Sequence, residues 1–527
     1  MVAGVCVLAA GPAGPAQLAL YGLAAALLAR LGPHRPQHGP SPGPPQPATP
    51  DRAVSPGQGR ARARQQAAPG TLTHLKEAPV DRFDVIIIGM GVGGEAAAGR
   101  LLAAGRRVAL VERELIGGEC AYWACIPSKT LLRGPEVRAE ASRAAGVATP
   151  VLDWPGLRDY HDYMVRHLDD TAQVKDYEQA GATVIKGPAR LAGPGRVEAA
   201  GQLLEAEHVV IATGSEPVRP AIEGLDQVPV WTSREATNVR DIPSRVLLVG
   251  GSAVGVELAQ FYGGMGAQIT IVQRAGRLVD REDPRVGELA AQALTTQGVT
   301  VRTGVAPVSA RKAGQATVVT LDDGSQVEAD VVILGAGRTP RTAGFGLETA
   351  GVRLTPTGAI AVDERCSAGE GLWAVGDVTG VALFTHVATY QGRVVAANIL
   401  GRDHRASYEG IPRVVFADPE IAAVGLTAAQ AAARGITAAT AEISVADTAD
   451  RSWTYERDPR GAVGVLADRD RGVLVGAWAV APLASEWIHY AALAIRAQIP
   501  ISVLLDQVAQ YPTYTEVWHA ALEQLSL

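Results

Sequence analysis

Two stretches of this chain repeat one layout: a short apolar strand, a glycine-rich turn, a helix and a second strand. Asp84-Val85-Ile86-Ile87-Ile88 runs straight into Gly89-Met90-Gly91-Val92-Gly93-Gly94 and an Ala-rich helical pattern, and the next strand, Arg107 to Val111, ends in Glu112, 23 residues after Gly89. The layout recurs at Val246-Leu247-Leu248-Val249, Gly250-Gly251-Ser252-Ala253-Val254-Gly255, a helix from Val256 and a strand from Gln268 to Val272. Apolar strands alternating with helices are what a parallel sheet covered on both faces requires. The chain therefore reads as α/β, with two Rossmann-like dinucleotide-binding domains.

Each glycine of the first turn has a separate physical task. Gly89 makes the tight turn, Gly91 lets backbone approach a pyrophosphate, and Gly94 lets helix and strand pack, while the helix N-terminus faces the phosphates. Glu112 is placed to accept ribose hydroxyls. In the repeat, Gly250 and Gly255 keep their places but Ser252 replaces the middle glycine, so its hydroxymethyl must point away from the pyrophosphate or donate a hydrogen bond to it. The position matching Glu112 is Gln273, followed by Arg274 and Arg277. Without a carboxylate, and with guanidinium groups near, a 2′-phosphate is not repelled. NADPH stands beside NADH as an expected ligand, the other reading of the arginines being a solvated loop.

Between the first layout and its repeat lies Gly117 to Arg133, GGECAYWACIPSKTLLR. Cys120 and Cys125 are five positions apart, and in a regular helix five residues rise about 7.5 Å. That exceeds the usual Cα separation of a disulfide. A bond between them needs a distorted turn, and a bond strained in that way belongs with labile or catalytic disulfides. The competing reading is a pair of buried thiols.

GGECxxxxCIPSK resembles the redox-active segment of the class I flavin disulfide reductases, the family of dihydrolipoyl dehydrogenase, glutathione reductase and mercuric reductase. The resemblance extends over about residues 80 to 527 through further motifs in order: Val209-Val210-Ile211-Ala212-Thr213-Gly214, Gly335-Ala336-Gly337-Arg338-Thr339-Pro340, Gly371-Leu372-Trp373-Ala374-Val375-Gly376-Asp377-Val378, and an interface segment with Ile411-Pro412-Arg413 and Val424-Gly425-Leu426-Thr427. It implies FAD in the first domain, NAD(P)H in the second, and a homodimer formed by a C-terminal α+β domain. It also implies that Cys120 exchanges with a substrate disulfide, that Cys125 makes a charge-transfer contact with the flavin, and that Lys129 lies beside the flavin paired with Glu257. Asp377 would hold a ribityl hydroxyl, and Gly118, Ala189, Thr213, Gly214, Gly337 and Thr385 fall at cofactor-contact positions. No metal ligand set is implied.

Two departures from the family stand out. The linker between the cysteines, usually carrying Asn, Val and Gly, is Ala121-Tyr122-Trp123-Ala124, which places two aromatics where access to the sulfurs is decided. The family's His-Pro-Thr-x-x-Glu, whose histidine serves the partner subunit's cysteines, reads Tyr511-Pro512-Thr513-Tyr514-Thr515-Glu516. A phenol has a pKa near 10 against about 6.5 for imidazole, so Tyr511 donates a hydrogen bond but does not serve as a base at neutral pH. His519 is the one nearby substitute, more readily read as a surface histidine of the last helix. Reduction of the cysteine pair is expected to survive and thiol exchange to suffer. Mercuric reductase and large thioredoxin reductase use a further C-terminal cysteine pair, and no cysteine follows Cys366; glutathione reductase keeps the histidine.

Composition limits the remaining classes. A net charge of −6 and a pI near 6.0 provide no basic field for nucleic acid, and four cysteines, Cys6, Cys120, Cys125 and Cys366, are too few for a secreted disulfide scaffold. A cytoplasmic location without membrane attachment is expected. From Pro33 to Pro69 ten prolines fall in 37 residues, so residues 1–78 read as a disordered or mis-assigned Pro/Gly/Arg-rich extension, with a membrane anchor the lesser alternative. The expected domains are then 79–235 for FAD, completed by 364–404, 236–363 for NAD(P), and 405–527 for dimerisation. The expected function is a dihydrolipoyl dehydrogenase-like disulfide reductase. The alternatives are an NAD(P)H:quinone or dye reductase without disulfide exchange, and a non-catalytic flavin redox sensor. The acceptor is a small-molecule disulfide or a quinone.

Overall fold

The computed structural model describes residues 80–526. The extension 1–78, with Cys6 and the alternative of a membrane anchor, lies outside the described residues. Strand β1 (Asp81–Ile88), helix α1 (Val92–Ala103) and strand β2 (Val108–Glu112) form the first crossover, with Val85 opposite Val108 in parallel register. The run from Val85 to Ile88 is almost fully buried, as a central parallel strand demands. Gly94 could not be any other residue here, because a Cβ would lie 2.1 Å from the Gly89 carbonyl oxygen.

Beyond β2 the first sheet ends at Thr183–Lys186, and on the other side of β1 it continues through Gln202–Ile211 to Leu372–Ala374 and Ser367–Gly369. Leu372 pairs with Val209, so a segment far along the chain completes the first sheet. The second sheet is wholly parallel, in the order Thr300–Thr303, β4 (Gln268–Gln273), β3 (Arg245–Val249), Val331–Leu334 and Val230–Trp231, with helix α4 (Ala253–Gly264) as its first crossover.

This sheet begins earlier than residue 236, since Val230 and Trp231 pair with Val332 and Ile333. The chain also returns sooner than 363: Leu347 and Ile360 pack in the first domain's core with Ile86 and Leu191. Both shifts have one cause. A two-residue edge strand and a short 3₁₀ turn carry too little periodicity to be assigned to a sheet without their partners.

The third sheet is antiparallel, Pro412–Val415, Glu420–Gly425, Val473–Ala481, Ala462–Asp468 and Ala438–Ser444. Trp487 and Trp518 meet edge to face at 5.3 Å in its core. Ile421 and Val480 of this sheet join a cluster with Val246, Phe261, Leu131 and Leu132. The helix that carries Leu131 is thereby rooted among all three domains. No helix among the described residues is long and apolar enough to cross a membrane.

Candidate active site

Helix α2 (Gly118–Tyr122) stops two residues short of helix α3 (Cys125–Arg143). Trp123 at φ −138°, ψ −1° and Ala124 at φ −133°, ψ −95° break the run between the cysteines. Such a break is what a five-residue spacing needs before two sulfurs can meet. Both thiols are free and partly buried in this structure.

The pair is electrically asymmetric. Cys125 is lowered to about 6, first by a hydrogen bond from Cys120, then by Thr385 and the Lys129 charge, against the opposing effect of burial. Cys120 is pushed up, chiefly by giving its proton to that bond and then by burial. The asymmetry favours the thiolate at Cys125 over one at Cys120. Thr385 opens helix α5 (Thr385–Ile399), and its Oγ1 lies 3.2 Å from Cys125 Sγ.

One turn further, Lys129 Nζ lies 2.6 Å from Glu257 Oε2, and the other oxygen of Glu257 accepts the Phe416 amide at 3.0 Å. The Phe416 ring sits 4.8 Å from the ammonium. Helices from two domains and a loop from the third thus fix one charged group. Asp377, on the turn after Leu372–Ala374, is raised by burial and accepts Ser215 Oγ at 2.6 Å, and Arg338 Nε donates to the same hydroxyl at 2.7 Å. Thr213 Oγ1 donates to the Arg341 carbonyl at 2.8 Å, the neighbouring Gly214 carbonyl accepts the Arg341 amide at 2.9 Å, and the Gly337 carbonyl accepts the Val218 amide at 3.0 Å. Ala189 starts a strand paired to Ala199 and packs on the first domain's core.

These residues fit FAD. A Cβ on Gly91 would meet nothing nearer than the Gly118 Cα at 3.9 Å, which leaves an open cradle at the N-terminus of α1 for a pyrophosphate. Glu112 is buried at the end of β2 and holds the Met90 amide at 2.7 Å.

In the second domain Gln273 repeats the Glu112 contact, accepting the Gly251 amide at 3.0 Å. Ser252 donates to the Gly335 carbonyl at 3.2 Å, so its hydroxymethyl is turned away from the mouth of the turn between Gly250 and Gly255. Arg277 is spent on the Asp280 carbonyl at 2.7 Å, whereas Arg274 is exposed.

The C-terminal residues do not form one cluster. Tyr511 is 70% exposed and donates its hydroxyl to Asp450, which raises the phenol further. Glu516 instead accepts the Thr513 amide at 3.4 Å. His519 is held by the Leu505 carbonyl at 2.9 Å and faces Glu523, so it is committed within its own domain.

Several residues around the cysteines escaped sequence reasoning. Glu119, directly before Cys120, binds Arg234 Nε at 3.0 Å and Arg341 Nη2 at 3.2 Å, and Arg234 stacks 4.1 Å from the Trp123 ring centroid. Tyr122 is buried, with its hydroxyl 3.1 Å from Arg166. Of the two linker aromatics, Trp123 alone is partly open, and Arg234 covers it. Arg166, His167 and Leu168 are all left-handed, at φ 53°, 51° and 58°. Left-handed backbone costs roughly 1–2 kcal/mol per residue with a side chain. The only sequence sign of these contacts was a lone acid in a glycine-rich turn; the partners lie more than 40 residues away.

The comparisons with known proteins agree with this architecture. Residues 83–392 match the pyridine nucleotide-disulphide oxidoreductase family, and residues 411–522 match the dimerisation domain of the same family, which supports a homodimer. The chain is 35% identical over 456 residues to a mercuric reductase of Streptomyces lividans, covering 84% of this chain and 96% of the relative. It is 34% identical over 455 residues to a dihydrolipoyl dehydrogenase of Thermus scotoductus, covering 84% and 97%. Among solved structures, the HOCl-induced flavoprotein disulfide reductase RclA from Escherichia coli, as its Cu(II) complex, superposes with a TM-score of 0.76 at 26% identity, covering 84% of this chain and 99% of that one. With the dithiol turn, two nucleotide folds and a dimerisation sheet in family order, the chain belongs to the FAD-dependent pyridine nucleotide-disulphide oxidoreductases.

Proposed function

We propose that the chain oxidises NAD(P)H, preferring NADPH, and stores the electrons in the Cys120–Cys125 pair for delivery to a small-molecule disulfide. The observation that carries this reading is the pair of thiols at the broken turn, with Cys125 Sγ 3.2 Å from Thr385 Oγ1 and the Lys129–Glu257 ion pair one helical turn away. FAD, held by the first domain's glycine turn with Asp377 and Lys129, would supply the two-electron chemistry linking the nucleotide to the sulfurs. The balance closes without a further reagent: one hydride equivalent brings two electrons and one proton, the S–S bond breaks, Cys120 keeps the proton, and Cys125 remains a thiolate. In the oxidative direction Cys120 sulfur attacks the outside disulfide and expels one thiolate. Cys125 then attacks Cys120, expels the second, and closes the pair.

The first of those steps asks for a base to take the Cys120 proton. Cys125, already acidic, accepts it poorly, and the Tyr511 phenol, held as a donor by Asp450, does not accept it at all near neutral pH. This same observation favours the second reading, in which electrons pass to a quinone without thiol exchange. Steady-state turnover of the FAD-loaded dimer against lipoamide, glutathione disulfide and a quinone tests the two. Turnover with the quinone alone would discard the disulfide acceptor. A reducing, cytoplasmic compartment suits free thiols at Cys120, Cys125 and the buried Cys366.

The nucleotide preference rests on Arg274. Replacing it with alanine removes one charge-assisted contact to a 2′-phosphate, a loss of about 1.5–3 kcal/mol. Arg274→Ala is therefore expected to raise KM for NADPH by at least about tenfold and to leave KM for NADH within twofold. Equal changes for both nucleotides in initial-rate assays would remove Arg274 from the site.

A further inference from the structure

Residues 166–170 hold the dithiol turn at its upstream end and at the break between the cysteines, and we propose that this segment is a clamp that sets the reduction potential of the Cys120–Cys125 pair, with Arg166 as a positioning residue. The inference rests on the reading above that the pair cycles between disulfide and dithiol. At the upstream end, Asp170 accepts the Ile116 amide at 2.7 Å and is itself fixed by Lys186 Nζ at 2.6 Å. In the middle, Arg166 Nη1 donates to the Tyr122 hydroxyl at 3.1 Å, and its guanidinium carbon lies 5.6 Å from the ring centroid. Ile116 and Tyr122 are fully buried and Asp170 nearly so, which leaves the Ile116–Asp170 bond little competition from water, while Arg166 is half-buried.

Tyr122 is the last residue of α2, at the point where the helix breaks. Were the break to close into regular helix, the cysteine Cα atoms would be separated by a rise of about 7.5 Å along the axis alone, too far for a disulfide. The dithiol tolerates either shape, whereas the disulfide requires the broken one. A contact that holds the break in place therefore stabilises the disulfide relative to the dithiol, and weakening it favours reduction.

Arg166 also faces Glu95, in the first turn of α1, so a change at Arg166 alone reads two contacts. Tyr122→Phe is the cleaner variant, since it keeps the ring and removes only the hydroxyl. The FAD-loaded dimer is equilibrated against buffers of oxidised and reduced dithiothreitol, quenched by alkylation, and its free thiols counted by mass. The reaction followed is disulfide plus two electrons and one proton to one thiol and one thiolate, dithiothreitol being the electron source. Tyr122→Phe is expected to move the equilibrium about tenfold toward the dithiol, a potential about 30 mV more positive. Arg166→Gln should move it in the same direction, the double variant no further than the larger single shift, and Arg166→Lys should recover part of it.

Tyr122→Phe with wild-type FAD content and an unchanged potential overturns the clamp. So does a shift in Arg166→Gln that is simply added to that of Tyr122→Phe, because the two then act apart. If the wild-type protein never loses two thiols on oxidation, the cycling reading has failed and the clamp falls with it, a result distinct from an unmoved potential in a pair that does cycle.

Discussion

Cys125→Ser is expected to abolish both the long-wavelength absorbance of the two-electron-reduced enzyme and its NAD(P)H-dependent disulfide turnover, the latter by at least about 10³-fold, as for loss of one member of a catalytic unit. Cys120→Ser should lose the same turnover yet keep or strengthen the absorbance. The reason is the asymmetry of the pair: the thiolate sits at Cys125, stabilised by Cys120, Thr385 and Lys129, while Cys120 holds the proton. Acidity provides an independent check. The thiolate is present above the Cys125 value of about 6 and is lost as pH falls through it, so the wild-type band should bleach between neutral pH and roughly 5. Anaerobic titration of the variants decides the assignment, and spectra opposite to these would exchange the roles of the two cysteines.

Tyr511→His is expected to raise disulfide turnover by at least about tenfold, the low side of what a positioned base contributes. Tyr511 is exposed on the third domain and bonded to Asp450. An imidazole there would find Asp450 as its carboxylate, because Glu516 is occupied with the Thr513 amide. Asp450→Asn in the Tyr511→His background should then remove most of the gain, which separates orientation by Asp450 from orientation by Glu516. Quinone reduction does not pass through thiol exchange and should stay within twofold. A disulfide rate unmoved by the substitution, beside brisk quinone turnover, would favour the quinone reading.

The two predictions draw on different kinds of information. The cysteine roles were stated from motif position, and the structure adds the contact of Cys125 Sγ with Thr385, 260 residues away along the chain. The family motif at Tyr511 ends in Glu516, and the structure gives the Tyr511 hydroxyl Asp450 as its carboxylate, 61 residues upstream. Arg234, Arg341 and Arg166 were silent in the sequence for the same reason. An arginine in a loop shows nothing of its partner until the loop is folded against it.

The sequence by itself determined the α/β class, the two nucleotide-binding folds and the family, because each is written in local spacing: apolar strand, glycine turn, helix, and the Cys-x-x-x-x-Cys segment with its flanks. A glycine such as Gly94 is legible at once, since its need arises within six residues of Gly89. Only the tertiary structure decided where the second sheet takes its edge strand, which arginine stays exposed beside Gln273, how Glu119 is neutralised, and what holds the helix break at Tyr122. Those outcomes depend on pairs of groups brought together by packing from distant parts of the chain, and an interaction energy belongs to the pair, not to either residue alone.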